Sequence, residues 1–188
     1  MIGTMILRVI NYPGQLGNLK SGFRPLILLL LLIPHSVAAQ WRVVTLENTD
    51  SEPATRIAQA TNTAGYSLEI YRDSADAIRS RLTMADGLLN LAGKKCPTYQ
   101  IDRGIPQNRS INDAPCISNS KWAEFVLGYV EDEKIESSTL RALMLGISIK
   151  FRFILENGDY RETTFSLTGS MKAMKTAFGE DILITPSI

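Results

Sequence analysis

Residues 147–155, ISIKFRFIL, alternate apolar and polar side chains, and ENGD and YRETTFSL follow them. A period of two belongs to a strand with one buried face. Ile147, Ile149, Phe151, Phe153 and Leu155 define that face, and Ser148, Lys150 and Arg152 most of the other. Asn157-Gly158 invites a two-residue type I′ turn. That register, however, sets Phe151 opposite Thr164 and Ile149 opposite Ser166. A three-residue loop over 157–159 instead pairs Phe151 with Phe165 and Ile149 with Leu167. A one-residue slip turns every side chain over, so burial predicts the odd-length loop. An antiparallel hairpin is therefore what the rest of the chain must fold around.

The flanking segments agree with it. Residues 41–46, 66–72, 77–84 and 122–130 interleave β-branched and aromatic residues with charges and read as strands. In AIRSRLTM, Ile78, Ser80, Leu82 and Met84 share one face, and Arg79, Arg81 and Thr83 share the other. Residues 47–65 mix turn formers with a short run around Ile57 and read as mostly loop. Residues 88–91 form a short apolar run. Two short helices obey capping rules: Ser138 caps TLRALML, with Leu140, Leu143 and Met144 inward and Gly146 closing the end. In TGSMKAMKTAFG, Thr168 or Ser170 is the cap, Met171, Met174 and Phe178 form one face, and Gly179 stops the helix. Such a Met stripe reads as core rather than as a cofactor box. Six to eight strands, two helices and no βαβ alternation predict a mainly β fold, an antiparallel sandwich with helices at its edges.

The front of the chain reads differently. The apolar run 26–33 is eight residues long and ends at Pro34, too short for a span that needs roughly 20. With Lys20 and Arg24 before it and Val37-Ala38-Ala39 after it, it fits a signal peptide over residues 1–39, cut before Gln40. No Cys follows the cut to carry a lipid. The leader holds Arg8, Lys20 and Arg24 and no acid, so residues 40–188 carry 17 basic and 19 acidic groups. A near-neutral single domain without a basic block argues against nucleic acid as a partner. It also holds no transmembrane segment once the leader is gone.

The only histidine, His35, lies in that leader. The exported domain therefore has no Ser-His-Asp or Cys-His catalysis and no His-based metal site. Cys96 and Cys116 are the only cysteines, and in an oxidising compartment such a pair predicts a disulfide. Between them lies PTYQIDRGIPQNRSINDAP, an irregular excursion by composition. A crosslink across it contributes on the order of 3 kcal/mol. The spacing is not the Cys-x-x-Cys of redox-active pairs.

No catalytic motif is present and no cofactor is implied. Ser118-Asn-Ser-Lys121 has S-x-x-K spacing, but without a K-T-G it reads as a solvated loop. Glu131, Asp132 and Glu136 in VEDEKIE are the candidates for the alternative class, a small carboxylate-dependent envelope hydrolase. Asn108-Arg-Ser110 matches a glycosylation sequon, relevant only to a eukaryotic secretory route. For binding, the excursion offers Tyr99, Ile101, Arg103, Ile105 and Arg109, the large apolar and Arg groups enriched at interface anchors. Tying its base reduces the entropy lost on binding. Tyr99, Arg103 and Arg109 are the candidate binding residues.

The order of features resembles the invasion-associated locus B family of bacterial exported proteins. The matching residues are Trp41, the pair Cys96 and Cys116, the Leu-rich segment 140–146, and Phe165-Ser-Leu-Thr-Gly-Ser-Met-Lys-Ala173. The likeness covers the second half of the chain. The first half diverges, and relatives often carry more than one Cys pair. The resemblance implies a periplasmic or secreted, non-enzymatic β domain that binds a protein or an envelope component, and it brings no catalytic residues.

Overall fold

A computed structural model describes residues 40–47, 54–87, 90–93, 95–107 and 116–187. The described residues form a mostly-β sandwich. The larger sheet contains β1 (Arg42–Leu46), β2 (Thr55–Thr61), β3 (Ser67–Arg72) and β4 (Ala77–Thr83), joined in sequence by antiparallel pairing. The smaller sheet begins with β5 (Thr98–Ile101). The larger sheet resumes with β6 (Cys116–Ser118), β7 (Trp122–Glu131) and β8 (Lys134–Glu136). Helix α1 (Ser138–Leu145) leads to the hairpin of β9 (Ser148–Ile154) and β10 (Tyr160–Ser166). Helix α2 (Ser170–Phe178) and β11 (Leu183–Thr185) complete the chain. The strand orders are β1-β2-β3-β4-β7-β8-β11, with β6 also on β7, and β10-β9-β5. Among the described strands, only β11, beside β8, runs parallel to its neighbour.

The core lies between the sheets and is tied together by aromatic rings. Phe125 of β7 meets Tyr99 of β5 at 5.2 Å and Phe151 of β9 at 6.3 Å between ring centroids. Phe151 in turn meets Phe165 edge-on at 6.1 Å. Around them Leu68, Ile70, Ile78 and Leu82 are fully buried, each contributing roughly 1.5–3 kcal/mol. The alternation read in AIRSRLTM is the one observed: Ile78, Ser80, Leu82 and Met84 point inward. The indole of Trp41 donates to the carbonyl of Ser166 at 2.8 Å, fastening the start of β1 to the end of β10.

Several details correct the expectations. The predicted loop over 47–65 contains β2, whose inward residues are Ala58 and Ala60. Helix α2 packs over this strand, so small residues are needed there and the usual apolar signal is missing. The hairpin loop is odd-length but spans 156–158, and it pairs Ile149 with Phe165 and Phe151 with Thr163. The amide of Leu155 donates to the carbonyl of Asp159, and that of Gly158 to the carbonyl of Leu155. Gly158 takes the left-handed third position at φ 89°. A loop over 157–159 would have forced Asp159 into that conformation, which glycine adopts at least cost. The resulting slip of two residues keeps the apolar faces together. Ile147 is 77% exposed and lies before the strand begins.

The helix caps also move. The hydroxyl of Ser137, not Ser138, accepts from the Leu140 amide and donates to the Leu127 carbonyl. Gly146 closes α1 in extended rather than left-handed backbone. A Cβ there would stand 2.7 Å from the Ala142 carbonyl oxygen. Neither Thr168 nor Ser170 caps α2; Gly169 holds that place, and Ser170 donates to the Leu143 carbonyl, tying the helices together. Met171 faces solvent, and Ala173 packs inward beside Met174 and Phe178. The disulfide Cys96–Cys116 is formed, with Cα atoms 6.2 Å apart. Its excursion is not wholly irregular, because β5 pairs with β9. Among the described residues, no helix is long and apolar enough to cross a membrane.

Candidate functional site

The period of two that buries one face of the larger sheet delivers a second set of side chains to its outer face. Register sets Tyr71 beside Arg79, Glu69 beside Arg81, and Arg81 beside Glu124. A break in register between Ile78 and Arg79 sets Arg79 opposite Val126, diagonal to Glu124. Glu124 thus sits among three donors. Its carboxylate accepts from the Tyr71 hydroxyl at 2.6 Å, Arg79 Nη1 at 3.0 Å and Arg81 Nε at 2.8 Å. Arg79 also donates to Asp73, whose other oxygen accepts the amides of Ala75 and Ala77. The Arg81 guanidinium lies between the Tyr71 and Trp122 rings, 5.4 and 5.0 Å from their centroids.

The electrostatics follow from this packing. The Glu124 side chain is only 7% exposed, and burial alone would raise its pKa. The hydrogen bonds from Tyr71, Arg81 and Arg79, with the charge of Arg81, outweigh burial and hold it below the ordinary range. Burial also raises the Tyr71 pKa, and donation to Glu124 raises it further. Asp73 is lowered, as the bonds from Arg79 and two amides overcome its own desolvation. Near neutral pH, the carboxylates are therefore ionised and the phenol protonated. A general acid or base works best with a pKa near the operating pH. These groups are displaced from it, so the array offers fixed charges, donors and stacked rings.

Beside it lies an open cleft of about 330 Å³. It is lined by Val44, Leu46, Thr55 and Ile57 and, further across the same sheet face, by Glu69, Tyr71 and Arg81. Arg42 donates through Nε and Nη2 to Gln59, whose amide donates to Glu69. Cleft and array form one surface in which an apolar strip borders an ordered polar one.

The binding residues read from the sequence do not come together on one surface where the structure describes them. Tyr99 is 4% exposed and packs against Phe125 and Phe151, so it is a core residue rather than a surface anchor. Ile101 packs against the core as well. Arg103 and Ile105 are exposed after β5, and Arg109 lies outside the described residues. The hydrolase candidates Glu131, Asp132 and Glu136 are exposed on the β7–β8 hairpin, where Lys134 pairs with Glu136. In the S-x-x-K stretch, the Asn119 carboxamide accepts the amides of Lys121 and Trp122 and shapes the turn into β7. The array was signalled by Arg79 and Arg81 alternating on one face and by a lone acid in WAEFVLGYV. Pairing them requires the strand register, which only the fold supplies. No protein-family model, no curated protein and no solved structure matches this chain.

Proposed function

We propose that this protein is exported to the bacterial periplasm and acts there as a non-enzymatic binding domain, engaging a protein or envelope component through the outer face of its larger sheet. The observation that carries the reading is the Tyr71–Arg79–Arg81–Glu124 array beside the cleft. Its side chains are locked by mutual hydrogen bonds, so little rotamer entropy remains to be lost when a partner docks. Stacked aromatic and Arg groups are also the types enriched at binding hot spots. Export is supported by the signal-like residues 1–39, by the disulfide, and by the resemblance to the invasion-associated locus B family.

The test is to express the full chain with its own leader in a Gram-negative host. The expected product begins at Gln40, fractionates with the periplasm and captures an envelope component. Trp122→Ala and Leu46→Asp should each abolish capture while leaving the secondary-structure signal unchanged. An intact leader in the membrane fraction would overturn the export reading. Capture indifferent to both substitutions would overturn the assignment of the face.

A further inference from the structure

From the end of the smaller sheet where β5 and β10 stop and β9 begins, we infer that the protein rests on an anionic lipid surface. Exposed aliphatic side chains on two tied segments make the contact, flanked by unpaired cations. It uses neither the side-chain array nor the cleft, and so goes beyond the binding role proposed above.

The loop after β5 and the turn from α1 into β9 meet at this end. The Asp102 carboxylate accepts the amides of Ile147 and Ser148 at 3.0 and 2.8 Å, and the Asp102 amide donates to the Ser148 carbonyl. Asp102 itself stands at φ 49°, a region sparsely used by residues with a Cβ but tolerated by Asp. The loop beyond it is pinned as well: the Gly104 amide donates to the Ile101 carbonyl, and the Gln100 side chain to the Gly104 carbonyl. Gly146 packs so closely that a Cβ there would stand 3.0 Å from both the Ile101 side chain and the Asp102 carboxylate. The first turn of α2 joins them, since Ser170 donates to the Leu143 carbonyl and the Leu167 amide to the Ile147 carbonyl. This ordered backbone nevertheless holds large apolar side chains in solvent: Ile105 is 75% exposed, Leu145 57% and Ile147 77%. A cluster of that kind marks a surface that meets a protein or a membrane.

Charge decides between the two. Residues 102–107, 138–148 and 166–172 hold Arg103, Arg141 and Lys172 against a single acid, Asp102. All three cations are exposed, and none enters a salt bridge among the described residues. The Asp102 carboxylate is already occupied by backbone amides. The next acids along the chain lie beyond the far ends of the helices: Glu136, paired with Lys134, before α1, and Glu180 and Asp181 after α2. On the outer face of the smaller sheet, Glu162 is matched by both Lys150 and Arg152. This end therefore sets a net positive charge beside its apolar groups, the combination that an anionic bilayer surface attracts. Each Lys or Arg near such a surface adds about fivefold in affinity. A protein partner fits less well. Hot spots are dominated by aromatic residues and Arg, with Leu and Lys under-represented at such interfaces, whereas the exposed apolar groups here are all aliphatic.

The probe is a vesicle of phosphatidylglycerol and phosphatidylcholine, offered to the full chain expressed with its leader and compared with a vesicle of phosphatidylcholine alone. Co-sedimentation should show binding at least about tenfold tighter to the anionic vesicle. That preference should vanish in 1 M sodium chloride, where charges are screened over about 3 Å. Ile105→Ser and Ile147→Ser should each weaken binding about tenfold, and Arg141→Gln about fivefold. All three positions are exposed, so the thermal midpoints should not move. Every comparison is between variants of the same chain, so any contribution of the apolar run 26–33 is common to all. The inference is overturned if the two vesicles bind alike, if the three variants bind like wild type, or if the chain binds neither vesicle. Trp122→Ala and Leu46→Asp, on the larger sheet's outer face, should bind vesicles as wild type does. Loss in those two with full binding by Ile147→Ser would move the lipid contact to that face and overturn the inference. Vesicle binding that fails while envelope capture stays sensitive to Trp122→Ala removes the lipid inference alone.

Discussion

Glu124 and Glu162 keep nearly the same company on the outer faces of the two sheets. Each stands directly across a strand pair from an arginine, Arg81 and Arg152 respectively. Each accepts from a tyrosine hydroxyl and a second cation: Tyr71 and Arg79 for one, Tyr160 and Lys150 for the other. Glu162, however, is 37% exposed where Glu124 is 7%. The Tyr160, Arg152 and Lys150 contacts hold Glu162 down to about 2, but water and salt can replace them. Around Glu124 the same contacts work against desolvation and have no substitute. Burial, rather than the list of partners, decides which carboxylate the fold depends on.

The largest way to break this comparison is Glu124→Gln. Removing one member of a buried ion cluster leaves its partners uncompensated, which costs about 3–5 kcal/mol when they are fully buried. Arg79 and Arg81 are 24% and 34% exposed, so water recovers part of that, and we expect a loss of about 2–4 kcal/mol. Denaturant unfolding of wild type and variant at pH 7 would measure it. A loss below about 1 kcal/mol, the range of surface pairs, would erase the distinction between the two carboxylates.

The pH dependence sharpens the same contrast. The folded-state pKa of Glu124 lies below its ordinary value of 4.5, so the folded state favours the ionised form. That stabilisation is fully present above the unfolded-state pKa and is lost as pH falls through the folded-state value. Asp73, lowered from 3.8, adds a loss of the same sign. The stability difference between wild type and Glu124→Gln should therefore be constant from pH 5 to 7 and shrink steadily below about pH 4.5. A difference that widens in acid would mean that Glu124 is protonated in the native state at neutral pH.

How much of this was legible depended on whether a residue's role was local. The alternation of 147–155 declared a hairpin, and burial fixed which residues face together. The step along the strand was decided by Gly158 supplying the left-handed turn position. Strand β2 was hidden because its inward residues are Ala58 and Ala60, small where a helix lies over them. Tyr99 looked like a surface anchor because Pro, Gly and Asn surround it, yet four residues of that loop pair with β9 and turn its ring inward. Arg79 and Arg81 could be placed on one face by their spacing alone. Their acceptor is 43 residues from Arg81 in sequence, and only the β4–β7 register brings it there.

The tyrosines give the next smaller contrast. Tyr71 donates to Glu124 and accepts from Arg81 Nη2 at 2.8 Å, so Tyr71→Phe removes two charge-assisted bonds from a half-buried site. A loss of about 1.5–3 kcal/mol follows. Tyr160→Phe, at an exposed hydroxyl that donates to Glu162 where water can replace the contact, should leave the unfolding midpoint almost unchanged. Thermal unfolding of the two variants side by side reads the difference, and equal shifts would show that the Tyr71 hydroxyl is better hydrated than its half-buried position implies.

The smallest effect is Glu162→Gln. Lys150 and Arg152 are themselves 40% and 25% exposed, so the loss at 0.1 M salt should be the smallest of the series. Its size matters less than its salt dependence. Charges in contact with solvent are screened over about 10 Å at 0.1 M and about 3 Å at 1 M ionic strength. Repeating the measurement in 1 M sodium chloride should therefore bring Glu162→Gln close to wild type, while Glu124→Gln keeps most of its deficit. If the two variants lose the same fraction of their effect in salt, the Glu124 cluster is as open to ions as the Glu162 cluster. In that case the polar half of the larger sheet's outer face is a hydrated surface, not a rigid platform.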